Sequence, residues 1–405
     1  MDIQKKTDGI QFWVLNVASF LGQLSIAMVN LAVVYYLRSR FTLSAQMIGI
    51  ATSVYTFTYF LFCIIGGGVC GRMRPRHCIE LSMVGMSISI ALLIFCGKLW
   101  QVFLALALYG SFMSMLWPQV EGWFSRGKEG AQLNRVTSSF NFSWSFGAGI
   151  SPYVAGVLVE RSATLPLAAG IGIFAMVFLL IFLASAIVPG IRAVGSEHAH
   201  VGEIHSEDHS TPLRYLCWAG IVMVYTGLSV VQTVFPLFAQ DVMRISESTA
   251  GFLLLVRGIS TCCMFMFLGK TCWWQFRLPV ILCVQLLFGL VCLLGMAIPG
   301  TTSVSAFVAY GMFFFVFGIL FAIAYTLSMF HGASGCINRS RRMMIHEVLL
   351  TVGTIVGAIF GGTIYEHFSF QQVLFAIFLF VVTLIAVEAV GVIVLETRRR
   401  MWRHV

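Results

Sequence analysis

Three charged side chains, Glu121, Arg257 and Glu347, stand inside or at the edge of long apolar runs of this sequence. A charge inside an apolar segment is costly, so each is a candidate for function. Arg257 lies about ten residues into its run, and a guanidinium grips a carboxylate or phosphate through two parallel hydrogen bonds. It reads either as the anchor of an anionic solute or as one half of an ion pair with Glu121 or Glu347. Glu121 belongs to Trp117-Pro118-Gln119-Val120-Glu121-Gly122-Trp123, where Pro118 frees a backbone carbonyl. A buried carboxylate can carry a proton; the competing reading is a gate closed with Arg126 or Arg135. Glu347 raises the same choice. Its neighbour His346 is of the one side-chain type that ordinarily titrates near neutral pH. Uncharged groups in the runs add hydrogen-bonding and stacking capacity: Gln23, Asn30, Tyr55, Asn141, Trp144, Ser145, Tyr225, Gln232 and Tyr325. Each alone is more often glue between helices than a contact for a solute. The Asn141-Phe142-Ser143-Trp144-Ser145 stretch, an aromatic among amides and hydroxyls, suits a ligand with flat and polar parts.

The elements that must hold these groups are long. Twelve runs can each cross a bilayer as a helix, at 11–37, 45–69, 78–97, 100–122, 135–159, 164–189, 214–239, 247–268, 277–298, 302–330, 343–365 and 370–395. The first is too long for the apolar core of a signal peptide and has no small-residue cleavage site, so it reads as a retained span. Most connections are short. The exception, 190–213, is polar and carries His198, His200, His205 and His209 among acidic residues. Its irregular spacing fits a solvated linker better than a metal site. The division expected is 1–189 as a first six-helix bundle, 190–213 as the linker, and 214–405 as a second bundle with a basic tail.

Composition agrees. Of 405 residues 59% are hydrophobic and 10% charged, against roughly a quarter charged in soluble domains. The formal net charge of +9 raises nucleic acid as a partner, but the placement of the charges argues against it. With the N-terminus in the cytoplasm, 19 Lys and Arg fall on inner segments and 5 on outer ones, and Arg257 completes the 25. Such a bias orients a membrane protein with both termini inside, where basic loops meet anionic lipid heads. The 11 cysteines form no CxxC pair. There is no phosphate-binding Walker loop, no HExxH and no nucleophile elbow, so neither an enzyme nor a cofactor is expected.

The halves repeat. An offset of 202 aligns Ser44 and Gly49 with Ser246 and Gly251, Gly67 and Cys70 with Gly269 and Cys272, and Asn30 with Gln232. Arg257 has Tyr55 as its counterpart. Parallel six-span halves joined by a loop are a transporter architecture.

At this point the residues resemble the major facilitator superfamily, over essentially the whole chain. The family's signature between spans 2 and 3 runs Gly, three residues, Asp, a basic residue, Gly and further basic residues. Here the stretch Gly67-Gly68-Val69-Cys70-Gly71-Arg72-Met73-Arg74-Pro75-Arg76 keeps Gly67, Arg72 and Arg76 but puts Gly71 in place of the Asp. The family's Asp pairs with a basic residue to hold one conformation, so that latch is altered. Span 5 carries Gly147-Ala148-Gly149-Ile150-Ser151-Pro152-Tyr153-Val154-Ala155-Gly156, similar to the superfamily's antiporter motif, with Gly149, Pro152 and Gly156 as its conformational residues. The resemblance implies spans 1, 4, 7 and 10 around a central cavity, 2, 5, 8 and 11 beside them, and Glu388 in a peripheral span 12.

The expectation is therefore an all-helical, polytopic membrane protein of twelve spans in two pseudo-repeats, working by alternating access. Its partners are a small solute, a coupling proton and membrane lipids. A monomer in a bacterial inner membrane is expected. Uptake of a small organic anion or polar metabolite held by Arg257 comes first. Drug or metabolite efflux by proton antiport comes second. A receptor or lipid-handling protein on the same fold is the reading from another class.

Overall fold

The computed structural model describes residues 2–70, 73–125, 130–187, 210–335 and 339–402. Twelve helices in it are long and apolar enough to cross a membrane. Spans 1 to 6 are Gly9–Phe41, Ala45–Ile65, Pro75–Phe95, Leu99–Val120, Ser138–Val159 and Leu165–Ile187. Spans 7 to 12 are Leu213–Asp241, Glu247–Gly269, Leu278–Met296, Val304–Ala333, Met344–His367 and Phe370–Gly391. The family-type fold of two six-span halves follows. Among the described residues short turns join spans 1 and 2, 3 and 4, 5 and 6, 7 and 8, 8 and 9, 9 and 10, and 11 and 12, and the spans so joined run antiparallel. One end of the bundle, the Arg38 end, holds the turns after spans 1, 3, 5, 7, 9 and 11. The other, the Arg76 end, holds the described turn after span 8.

Helices prevail because hydrocarbon offers backbone groups no partner outside the segment. Two of the runs expected as continuous are broken, each by a proline. In span 4 the helix stops at Met113, turns through Ser114–Leu116 and resumes at Trp117, just before Pro118. In span 7 it breaks at Val234, before Pro236. A proline ring has no N–H and crowds the carbonyl four residues back. For Pro236 that carbonyl belongs to Gln232. Span 5 runs through Pro152 unbroken, and the Ser151 hydroxyl donates to the Ala148 carbonyl that Pro152 leaves, at 3.0 Å.

Within each half, side chains bond to the backbone of a neighbouring helix. Ser25 donates to the carbonyl of Gly170 at 3.0 Å and Ser82 to that of Phe112 at 2.8 Å. Ser229 donates to that of Thr354 at 2.7 Å and Thr261 to that of Gly318 at 3.1 Å. Between halves, glycine allows backbones to meet. A Cβ on Gly258 would stand 2.2 Å from the Cα of Gly149, and one on Gly49 would stand 2.1 Å from the Ala358 carbonyl oxygen. Spans 5 and 8, and spans 2 and 11, therefore cross in near contact.

Candidate functional site

Between the halves lies a cavity of about 220 Å³. Nine of the ten solute-contact candidates line it: Gln23, Asn30, Tyr55, Trp144, Ser145, Tyr225, Gln232, Arg257 and Tyr325. At 1.5 Å per residue, Asn30, Tyr55, Gly149, Gln232 and Arg257 each sit about 13–17 Å from their helix ends at the Arg38 face. That is the middle of a hydrocarbon core about 30 Å thick. Spans 1, 2, 7 and 8 thus bring polar groups to one level, where span 5 crosses at Gly149.

Arg257 is 4% exposed. Its backbone is pinned: the Ser260 and Thr261 hydroxyls donate to its carbonyl at 2.8 and 2.9 Å. Its Nε is buried with no hydrogen-bond partner. Among the described residues the only ion pairs are Arg38–Asp241 and His77–Glu80, so Arg257 is not bridged to Glu347. Glu347 lines the same cavity and accepts from the Tyr59 hydroxyl of span 2 at 3.4 Å. A cation and a carboxylate thus share one cavity without neutralising each other.

Rings make up much of the remaining wall. Tyr225, Phe321 and Tyr325 are mutual neighbours, with centroids 5.3–6.4 Å apart, and Trp144 from the first half approaches Tyr325 at 5.6 Å. Asn141, the tenth candidate, is outside the cavity lining. Its Oδ1 instead accepts from the Trp144 indole N–H at 3.1 Å and fixes that ring.

The family model described as "Major Facilitator Superfamily" matches residues 15–336. The chain belongs to that superfamily. It is a membrane transporter rather than an enzyme. No curated protein sequence matches it significantly. Among solved structures it is similar to a POT family transporter in complex with a thioalcohol-conjugated peptide, at TM-score 0.69 and 14% identity over 94% of this chain and 95% of that one. It is similar also to the nucleoside transporter NupG, at 0.69 and 13% identity over 92% and 96%. A mutant peptide transporter POT in complex with sulfate matches at 0.67 and 13% identity over 94% of each chain. At such identities the likeness is one of fold.

The transporter is sealed at the Arg38 end. There Arg38 of span 1 pairs with Asp241 of span 7 at 3.0 Å, Glu366 of span 11 accepts from the Gln46 N–H at 3.3 Å, and Glu160 accepts from the Ser248 N–H at 3.0 Å. A Cβ on Gly156 would reach the Glu247 carbonyl oxygen at 2.2 Å, and one on Gly251 that of Pro152 at 2.3 Å. Span 5 and span 8 therefore close this end backbone to backbone. None of these polar latches stood out in the sequence, because each is a surface charge or a bare N–H until the fold pairs it.

The remaining candidates divide. His346 points away from the cavity, its Nδ1 2.8 Å from the Ser328 hydroxyl and its ring edge-on to Tyr325. Gly67 lies in the helix of span 2, and Arg76 donates to the Ser185 hydroxyl of span 6 at 3.2 Å. Glu121 and Arg135 fall on helical backbone, but their side chains, like all of Arg72 and Arg126, lie outside the described residues, as does the His-bearing segment at 188–209. In the second-half copy of the signature, the Trp274 indole donates to the Thr271 carbonyl at 3.0 Å and the Phe276 N–H to His331 Nε2 at 3.2 Å. Sequence reasoning missed Tyr59, Thr56, Ser229, Thr351 and Thr354 in the lining. Helical spacing carried the signal: Tyr59 is four residues from Tyr55, Ser229 lies three before Gln232, and Thr351 and Thr354 are four and seven after Glu347.

Proposed function

We propose that this transporter takes up a small organic anion together with a proton, across a bacterial inner membrane with both termini cytoplasmic. The observation that carries the reading is the buried, unbridged guanidinium of Arg257 in a midplane cavity. A guanidinium so placed binds a carboxylate bidentately and gains the more because water is excluded. The mixed amides, hydroxyls and rings around it fit a compact polar metabolite.

Glu347 supplies the coupling. The empty cavity carries Arg257 positive and Glu347 negative. The loaded cavity carries an anion on Arg257 and a proton on Glu347. Both are neutral in sum, while a carrier holding only one of the two is charged. A charge at a helix centre costs roughly 2.5–3.5 kcal/mol on insertion scales, which is about a hundredfold against reorienting the half-loaded carrier. Coupling then needs no contact between the two groups. In this reading the Arg38 end faces outward, and its latches belong to the outward-closed half of the cycle.

The test is flux into proteoliposomes under an imposed pH gradient. Saturable carboxylate uptake that follows the gradient supports the reading, with Arg257→Ala abolishing uptake and Glu347→Gln retaining binding but losing the pH drive. Efflux by proton antiport, which the span 5 motif suggests, takes its place if lipophilic cations are the best substrates. Absence of any solute flux points instead to a receptor on this fold.

A further inference from the structure

The cavity that Arg257 lines is not generically polar; rings from both halves line it too. On the second half, Tyr225, Phe321 and Tyr325 form one surface in which Phe321 and Tyr325 lie 26° from parallel. On the first half, Trp117 and Phe140 pair with centroids 6.2 Å apart, and both line the same cavity. Trp144 of the first half packs against the second-half wall, touching Phe265 at 5.8 Å and Tyr325 at 5.6 Å, with its indole plane held by Asn141. A cavity of about 220 Å³ between two aromatic walls is a slot for something flat and apolar, with a guanidinium at one edge for an anionic group.

We propose that the solute is a planar aromatic carboxylate, its ring between the walls and its carboxylate on Arg257. This rests on the anion reading above and narrows it. Ring quadrupoles favour offset-stacked and edge-to-face partners beyond what burial of apolar area supplies, so a flat ring is preferred to a saturated ring of like size. A large, flexible anion would leave the second wall without a partner. Inorganic phosphate would engage Arg257 and leave both walls bare. The walls belong to different halves, so the rocking that opens one end must also slide one wall relative to the ring.

The test is a binding panel on the purified full-length protein in nanodiscs: benzoate, 4-hydroxybenzoate, cyclohexanecarboxylate, inorganic phosphate and benzyl alcohol. We expect benzoate and 4-hydroxybenzoate to bind about tenfold more tightly than cyclohexanecarboxylate, from one or two ring contacts, and benzyl alcohol not to bind. Phe321→Leu should bring that ratio toward one. The wild-type ratio decides by itself, so a poorly folding variant does not spare the proposal. Equal affinity for benzoate and cyclohexanecarboxylate overturns it and leaves the anion reading standing. Binding of phosphate alone does the same. Binding of benzyl alcohol as tightly as benzoate, or of none of the panel, overturns both.

Discussion

The crossing of spans 5 and 8 allows a prediction with a number. An alanine Cβ at position 258 would lie 2.2 Å from the Gly149 Cα and 2.9 Å from its carbonyl carbon and oxygen. Carbon atoms in contact settle at about 3.5–4.0 Å, so the helices must separate by about 1.3 Å at the crossing. The obstacle is backbone, and no rotamer change relieves it. Gly149→Ala meets Gly258 at 3.1 Å, a shortfall of only about 0.4 Å by the same measure. Gly172→Ala in span 6 meets nothing within 4 Å. Overpacking of this kind costs typically 1–3 kcal/mol, so Gly258→Ala should fall in that range and Gly149→Ala below it. Gly172→Ala should be neutral or slightly stabilising, since alanine restricts the unfolded chain. A thiol-reactive dye in a temperature ramp reads the order directly. Cys96, Cys217, Cys262 and Cys292 are buried thiols, and Cys262 lies at this very crossing, 3.3 Å from the Ser145 hydroxyl. Exposure of Cys262 should come earliest in Gly258→Ala. If that variant melts with the wild type, or if Gly149→Ala is the more damaged of the two, the close-contact argument is wrong.

Other perturbations bear on the seal and the site. Arg38 and Asp241 are 37% and 33% exposed, so their coupling in a double-mutant cycle should be only about 0.2–1 kcal/mol and should shrink in high salt. A coupling that survives molar salt would show a drier contact than this. Glu160 lies just beyond span 5, where hydrogen bonds from the Ser248 hydroxyl, the Ser248 N–H and the Ser246 hydroxyl hold its carboxyl below the ordinary range. A lowered folded pKa stabilises above the unfolded value and is lost as pH falls through the folded one. The stability difference between wild type and Glu160→Gln should therefore be full at neutral pH and vanish in acid; a constant difference would contradict it. Asn141→Ala removes the 3.1 Å bond that orients Trp144 and, at about 0.5–1.5 kcal/mol for such a bond, should weaken solute binding about two- to tenfold. Unchanged affinity would show that packing alone holds the indole.

Much of the fold was legible because the bilayer imposes so few choices. The length and apolarity of the runs settle twelve spans, and the internal repeat splits them into halves. The breaks in spans 4 and 7 were harder. Pro118 and Pro236 both sat within runs that hydropathy reads as continuous, and hydropathy does not register a missing N–H. At the site, residue type was the signal. Arg257 and Glu347 are conspicuous as charges, and Asn30 and Gln232 as amides in apolar surroundings. Asn141 shows the limit: its type marked it, yet its Oδ1 is taken by the indole N–H of Trp144, three residues on and on the same helix face. His346 shows the same limit, one residue from Glu347 and turned to Ser328. Phe321 escaped notice for the opposite reason. A phenylalanine in a membrane span carries no signal until its neighbours are known.

The repeat also explains how the two halves can share a solute unequally. Tyr55 and Arg257 occupy equivalent places, and both line the cavity, but only one is charged. Arg257 is built into its own half: its carbonyl receives two hydroxyls, and a Cβ on Gly318 of span 10 would stand 2.3 Å from that carbonyl oxygen. The guanidinium therefore moves with Tyr225, Phe321 and Tyr325 as one body. On the proposed reading its distance to Asn30, Tyr55 and Trp117 would be set instead by how far the halves rock. A solute held by charge and rings to the second half and by rings and amides to the first would give up the first-half set when an end opens. Alternating access would then amount to the first-half wall approaching and leaving a fixed positive charge and its rings. The Gly149–Gly258 crossing, at the same depth as that charge, is where the two bodies bear on each other.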